Sequence, residues 1–155
     1  MQAKKCQVNL DAFHDLSSGN PEMLCEVHER ARDGCVDRLF LVFSTKTLIF
    51  DVDENDDTII VSSESEVVLK KRGLSDQTDS EKWRRFVGRP FGWGWIIVNQ
   101  QGYCDGALLS FGNLHPAVLL EVVASSIEVK NIGSDPGTTS RGSGRKRRAA
   151  NSAQI

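Results

Sequence analysis

No apolar run in this chain approaches the ~20 residues that a membrane-crossing helix requires; the longest are under about ten. A membrane-spanning helix is therefore not expected. Cysteine is sparse: Cys6, Cys25, Cys35 and Cys104 show no short paired spacing, and the polar start Met1-Gln2-Ala3-Lys4-Lys5 carries no secretory apolar segment. A disulfide framework is not expected, and the reducing cytoplasm is the expected compartment. Basic charge is also scarce where a fold would form. Residues 1–132 hold fourteen Lys and Arg against twenty Asp and Glu, so the body is net acidic. A nucleic-acid surface needs clustered Lys and Arg, which leaves such a contact only to the C-terminal tail.

The 39% hydrophobic content is enough to bury a core in a chain of 155 residues, and one domain with a tail is expected. The expected division is an N-terminal segment 1–19 that is partly ordered, a globular domain over 20–132, and a disordered basic tail over 133–155. The tail is rich in Gly, Ser, Thr and basic residues with almost nothing apolar. Within it Arg145-Lys146-Arg147-Arg148 has the composition of a nuclear-localisation or nucleic-acid patch, and only weak, salt-sensitive contacts are expected of it.

Residues 1–19 lack a sustained period. Asn20-Pro21 can open a helix, Leu24, Val27 and Ala31 recur at helical spacing, and Gly34 stands where a helix ends, so a helix is predicted there. Val36–Ser44, Thr47–Val52 and Thr58–Val61 then read as three strands in an antiparallel meander. Residues 62–77 read as a loop with a possible edge strand at Val67-Val68-Leu69. A short helix is predicted over Ser80–Val87, with Trp83, Phe86 and Val87 on one side and Gly88 and Pro90 stopping it.

Trp93–Val98 and Cys104–Phe111 flank Asn99-Gln100-Gln101-Gly102-Tyr103, and together they form the expected central hairpin. Asn99 opens a type I turn and Gly102 takes the left-handed position that makes a bulge. The expected register sets Ile97 opposite Asp105, Trp95 opposite Ala107 and Trp93 opposite Leu109. Both tryptophans are then core. Ala117–Ala124 permits helix or strand; its β-branched residues favour a strand that continues after Ser125-Ser126 into Ile127–Lys130. The fold class is α+β: one antiparallel sheet of five to seven strands, an N-terminal helix packed on it and a short second helix.

Candidate chemistry is thin. From Asp53, oxygen ligands fall at loop positions one (Asp53), three (Asn55), five (Asp57) and twelve (Glu64), which echoes a calcium loop. Thr58 occupies the sixth position, where a glycine is needed, so Asp53, Asp56 and Asp57 are expected in a solvated hairpin loop available to a partner. Cys25 and His28 have the spacing of half a zinc site without a second matching pair. Cys104 and Asp105 are adjacent on a strand and point to opposite faces, so they cannot act together as nucleophile and acid. Asp105 among apolar residues needs a partner, and Asn99, Tyr103 and Asp105 remain the candidate binding groups beside Trp95.

The residues Asp37-Arg38-Leu39, Trp93-x-Trp95, Asn99-Gln100-Gln101-Gly102-Tyr103-x-Asp105 and Ala124-Ser125-Ser126-Ile127 resemble small uncharacterised bacterial domains of unknown function, over about residues 20–131. More loosely, size, charge and fold type look like the small acidic immunity proteins that neutralise bacterial toxins. That likeness implies a non-enzymatic module presenting an acidic surface to a protein partner. No cofactor and no metal are expected; the other reading is a small-ligand or hydrolytic pocket near Trp95, Tyr103 and Asp105.

Overall fold

The computed structural model describes residues 10–17, 19–65 and 73–133. Two antiparallel sheets face each other across one core. The first sheet is built from β1 (Leu24–Arg32), β2 (Cys35–Phe43), β3 (Lys46–Asp53), β4 (Thr58–Ser65) and β5 (Leu74–Asp76), in the order β4-β3-β2-β1-β5. The second holds β6 (Phe91–Val98), β7 (Cys104–Phe111), β8 (Val118–Val123) and β9 (Ser126–Asn131), in sequence order. The one helix among the described residues, α1 (Asp11–Ser17), packs against β4 and β6. Among the described residues nine strands in two sheets stand in place of the single sheet of five to seven that was expected. No helix among the described residues is long and apolar enough to cross a membrane.

The helix predicted after Asn20-Pro21 is strand β1. Its apparent helical spacing comes from a bulge: the register shifts between Leu24 and Glu26, so the buried apolar residues Leu24 and Val27 stand three apart instead of alternating, while Ala31, beyond a second shift, is exposed. Asp33 (φ 52°) and Gly34 (φ 79°) then form a two-residue turn with both residues left-handed, the hairpin chemistry of Asp-Gly rather than a helix end. Arg30 locks the hairpin by donating through Nε and Nη2 to both carboxylate oxygens of Asp37 at 2.9 Å.

The meander β2-β3-β4 forms as expected, and residues 118–131 are the expected pair of strands, joined at Ala124 (φ 48°) and Ser125 (φ 62°). The predicted helix over 80–87 is a series of turns. Trp83 N–H and Arg84 N–H both donate to Ser80 O, and Phe86 N–H donates to Trp83 O. The Thr78 hydroxyl accepts the Val27 N–H at 3.1 Å, and Gly88 N–H donates to Leu24 O, so the segment is shaped by β1. Its apolar side is the expected one, with Trp83 and Phe86 fully buried. Val67-Val68-Leu69 and the tail with Arg145-Lys146-Arg147-Arg148 lie outside the described residues.

The core is the space between the sheets, filled by Leu39, Leu41, Leu48 and Phe50 from the first and Ala107, Leu109, Phe111, Val118 and Leu120 from the second. Trp93 and Trp95 are not in it. The hairpin turn is as expected, with Gly102 at φ 87°, Gly102 N–H donating to Asn99 O and Asn99 N–H to Tyr103 O. Beyond the turn, however, Val98 faces Cys104 while Ile97 faces Gly106, leaving Asp105 as an extra residue on β7. Ile96 therefore pairs with Ala107, Trp95 with Leu108 and Gly94 with Leu109. A one-residue slip moves every side chain to the other face. The bulge at Asp105 thus turns Trp93, Trp95 and Ile97 outward and brings Gly94 and Ile96 in. A second bulge between Phe91 and Gly94 restores the register at Phe91 and Phe111. Among the described residues β6 is the edge of its sheet, not the expected central strand.

Candidate functional site

The second bulge borders an open concavity. Gly92 has no room for a side chain: a Cβ there would stand 2.4 Å from Ser110 Oγ and 2.5 Å from Asn113 O. The loop after β7 therefore lies directly across Gly92. Buried Ser110 accepts the Trp93 N–H at 2.7 Å, which fixes the backbone where the strand bulges and swings the indole outward. Gly112 (φ 74°) turns the loop back, its N–H donating to Pro90 O at 2.8 Å.

The opposite wall is α1. Ala12, Phe13 and Leu16 form its buried stripe, while Lys46 Nζ donates to Asp15 O at 2.7 Å and Ser63 Oγ to Asp15 Oδ2 at 2.8 Å, tying the helix to β3 and β4. Phe13 lies flat against Phe91, with ring centroids 6.1 Å apart at 16°, and against the bare backbone of Gly94. Between these walls runs an open trough of about 540 Å³. Its sides are Leu10, Trp93 and Leu114, exposed by 41, 56 and 65%, and its floor is Phe13 and Phe91. His14, Ser17 and Asn113 supply the few polar groups at its margin. The surface suits apolar contact, with polar atoms placed for orientation.

The residues expected to carry function lie elsewhere. Asn99 is the hub of the hairpin turn: its Oδ1 accepts from Gln101 N–H (2.9 Å) and Tyr103 N–H (3.2 Å), and its Nδ2 donates to Asp105 Oδ2 at 3.0 Å. That bond answers the need of Asp105 for a partner and anchors the bulge. Tyr103 enters the turn through its backbone. Asp53 Oδ1 accepts from Asn55, Asp56 Oδ1 from the Thr58 hydroxyl (2.6 Å) and Asp57 Oδ1 from the Ser125 hydroxyl (2.7 Å), so this loop is stitched to itself and to the β8–β9 turn. Glu64 pairs with Thr47 while Asp53 pairs with Thr58, six residues or ~20 Å apart along the ladder, so they cannot share an ion. Among the described residues no three His, Cys, Asp or Glu side chains gather as a metal site.

Cys25 and His28 also separate. On a strand three residues span about 10 Å rather than one helical turn. Cys25 is exposed at the β1 bulge, while buried His28 meets Glu26 Oε2 through Nε2 at 2.9 Å. Cys104 is buried and disulfide-bonded, which withdraws it as a nucleophile. Such a bond is favoured by oxidising compartments rather than by the reducing one expected from the cysteine spacing.

Displaced titrations mark structural pairs, not the trough. The hydrogen bonds from Arg30 hold the Asp37 carboxyl below its ordinary range, and the same contact raises the guanidinium. Burial raises Glu29, with Lys82 partly offsetting it. Lys130 is raised by Glu121 on the exposed face of the second sheet.

The profile of a known family matches residues 12–134, from α1 through the end of β9. The chain belongs to DUF6334, a family of unknown function. The trough of this DUF6334 domain lies almost wholly inside the matched span; of its walls only Leu10 precedes it. No curated protein and no solved structure matches the chain. The trough was missed in the sequence because α1 is only seven residues long, too short for a sustained period. One local signal was present: Gly92-Trp93-Gly94 places an aromatic between two residues with no side chain, a sign of close backbone approach on both sides.

Proposed function

We propose that this DUF6334 domain is a non-enzymatic protein-binding module that receives an apolar segment of its partner in the trough between α1 and β6. The observation that carries the reading is Trp93, a large aromatic 56% exposed over a ready-made apolar floor. Exposed tryptophans beside pockets dominate binding energy in protein interfaces, and an apolar patch rimmed by polar groups is the usual mark of one. The acidic loop Asp53, Asp56 and Asp57 would form a charged flank of the contact rather than its centre.

The test is affinity capture with the full chain as bait, using Trp93→Ala and Leu114→Asp. Loss of a wild-type partner with both variants supports the reading, and a partner retained by both overturns it. Asp53→Asn, Asp56→Asn and Asp57→Asn together then report whether the loop contributes. A second reading, a small apolar ligand, is favoured by the trough's volume of about 540 Å³, which lies within the range of small-molecule sites. Native mass spectrometry of the purified chain, with and without Trp93→Ala, separates the two.

A further inference from the structure

Cys104 opens β7, is 1% exposed and is disulfide-bonded, whereas Cys25 and Cys35 are free thiols. The chain has four cysteines, and the one left to pair with Cys104 is Cys6, which lies outside the described residues. The lengths agree with that pairing. Leu10 lines the trough together with Gly94, and β6 runs on from Gly94 to Val98, which faces Cys104. Four residues of strand advance ~13 Å, and the four residues from Leu10 back to Cys6 can reach as far. In an extended chain Cys6, Val8 and Leu10 would share one face and Gln7 and Asn9 the other, so the face that carries Leu10 also carries the thiol.

On the reading of the trough as a binding site, we propose that Cys6 and Cys104 form a clasp that holds its Leu10 wall, and that a dithiol reductant opens it. The rest of α1 has its own anchors. Phe13 packs on Phe91 and Phe50, and Asp15 is held by Lys46 and Ser63. Leu10 is 41% exposed, so its place depends on the attachment upstream. Its carbonyl accepts the N–H groups of Phe13 at 3.0 Å and His14 at 3.2 Å, which makes it the base of the first helical turn. Because Cys104 is buried, a thiolate of the dithiol attacks the Cys6 sulfur; the Cys6–Cys104 bond breaks and Cys104 leaves and takes up a proton. The second thiol of the reductant then displaces Cys6 as a thiol. The reductant ends as a cyclic disulfide and the protein gains two thiols. Release of Cys6 frees Leu10, which opens one wall of the trough and loosens the start of α1 while the floor of Phe13 and Phe91 stays in place.

Peptide mapping and hydrogen exchange of the full chain test this. Digestion of the unreduced protein after glutamate separates Cys6 from Cys25 at Glu22, and mass spectrometry should find Cys104 linked to the peptide that holds Cys6. Amide exchange followed by NMR through the first minutes should run at least about tenfold faster at Phe13 and His14 once a dithiol is added, while β2 and β3 stay protected. Cys6→Ser should show the same fast exchange without reductant. Cys104 found as a free thiol or linked to Cys25 or Cys35 overturns the clasp. Exchange at Phe13 and His14 that responds to neither reduction nor Cys6→Ser overturns it too, and protection lost throughout β2 and β3 overturns it as a local device. Leu114→Asp, which bears on partner capture, should leave the cross-link and these rates unchanged, so failure of the trough reading and failure of the clasp are told apart.

Discussion

Gly94→Ala is the most direct probe of how α1 is held. A Cβ at Gly94 would stand 2.4–2.6 Å from three ring atoms of Phe13, far inside van der Waals contact. The ring cannot simply rotate away, because it is 5% exposed and packed on Phe91 at 6.1 Å and Phe50 at 6.4 Å between centroids. Overpacking of this kind costs about 1–3 kcal/mol, against which a Gly-to-Ala change in a strand recovers about 0.5–1 kcal/mol. The net expected loss is about 1–2 kcal/mol, or a fall of roughly 3–10 °C in Tm for a domain of this size. Phe13→Ala by itself should cost about 3–5 kcal/mol by emptying its site. On that background the methyl at Gly94 has nothing to strike, so Gly94→Ala should there be neutral or slightly stabilising. The double-mutant cycle, measured by chemical denaturation, should therefore return a coupling of about 1–3 kcal/mol. Equal costs of Gly94→Ala in both backgrounds would refute the contact and, with it, the placement of α1 that shapes the trough.

Asn99→Ala removes three hydrogen bonds from the hairpin turn and leaves the Asp105 bulge unanchored. It should lower stability by about 1–3 kcal/mol in urea denaturation, and Asn99→Asp should not rescue it because Nδ2 is the donor to Asp105. The Glu29 carboxyl is raised by burial, so its contribution is favourable at low pH and lost as pH rises through the folded value. Glu29→Gln should accordingly raise Tm at pH 7 and lose that advantage under acid conditions. Asp37 is shifted the other way: its stabilisation is present above the unfolded pKa and lost as pH falls through the lowered folded one. Asp37→Asn should cost about 1–3 kcal/mol at pH 7, with the gap closing below about pH 4. Non-reducing alkylation of native protein should label exposed Cys25, whereas Cys104 should react only after reduction and unfolding; labelling of Cys104 without reductant would remove the disulfide.

Local chemistry legible in the sequence was turn chemistry and strongly patterned strands. Asn99 and Gly102 form the turn expected of them because each position asks for one backbone conformation that few residues adopt. The meander from Val36 to Val61 and the final strand pair followed from β-branched runs between short breakers. The side of the 80–87 segment that is buried was also legible, from Trp83 and Phe86, although regular helix is absent there.

Tertiary structure alone decided where the chain adds a residue. A bulge costs nothing in composition and leaves no mark in a period, yet each one reverses the faces beyond it. The bulge in β1 made a strand look helical, and the bulge at Asp105 turned Trp93 and Trp95 out of the expected core, leaving Trp93 exposed and Trp95 half-buried. Strand order was equally invisible, because β6 is apolar on both faces whether it lies in the middle of a sheet or at its edge. The sequence by itself determined the Asn99–Tyr103 turn, the strands β2–β4 and β8–β9, and an acidic body. Which aromatics are core and which face solvent over the trough was settled only when two sheets and a seven-residue helix closed around them.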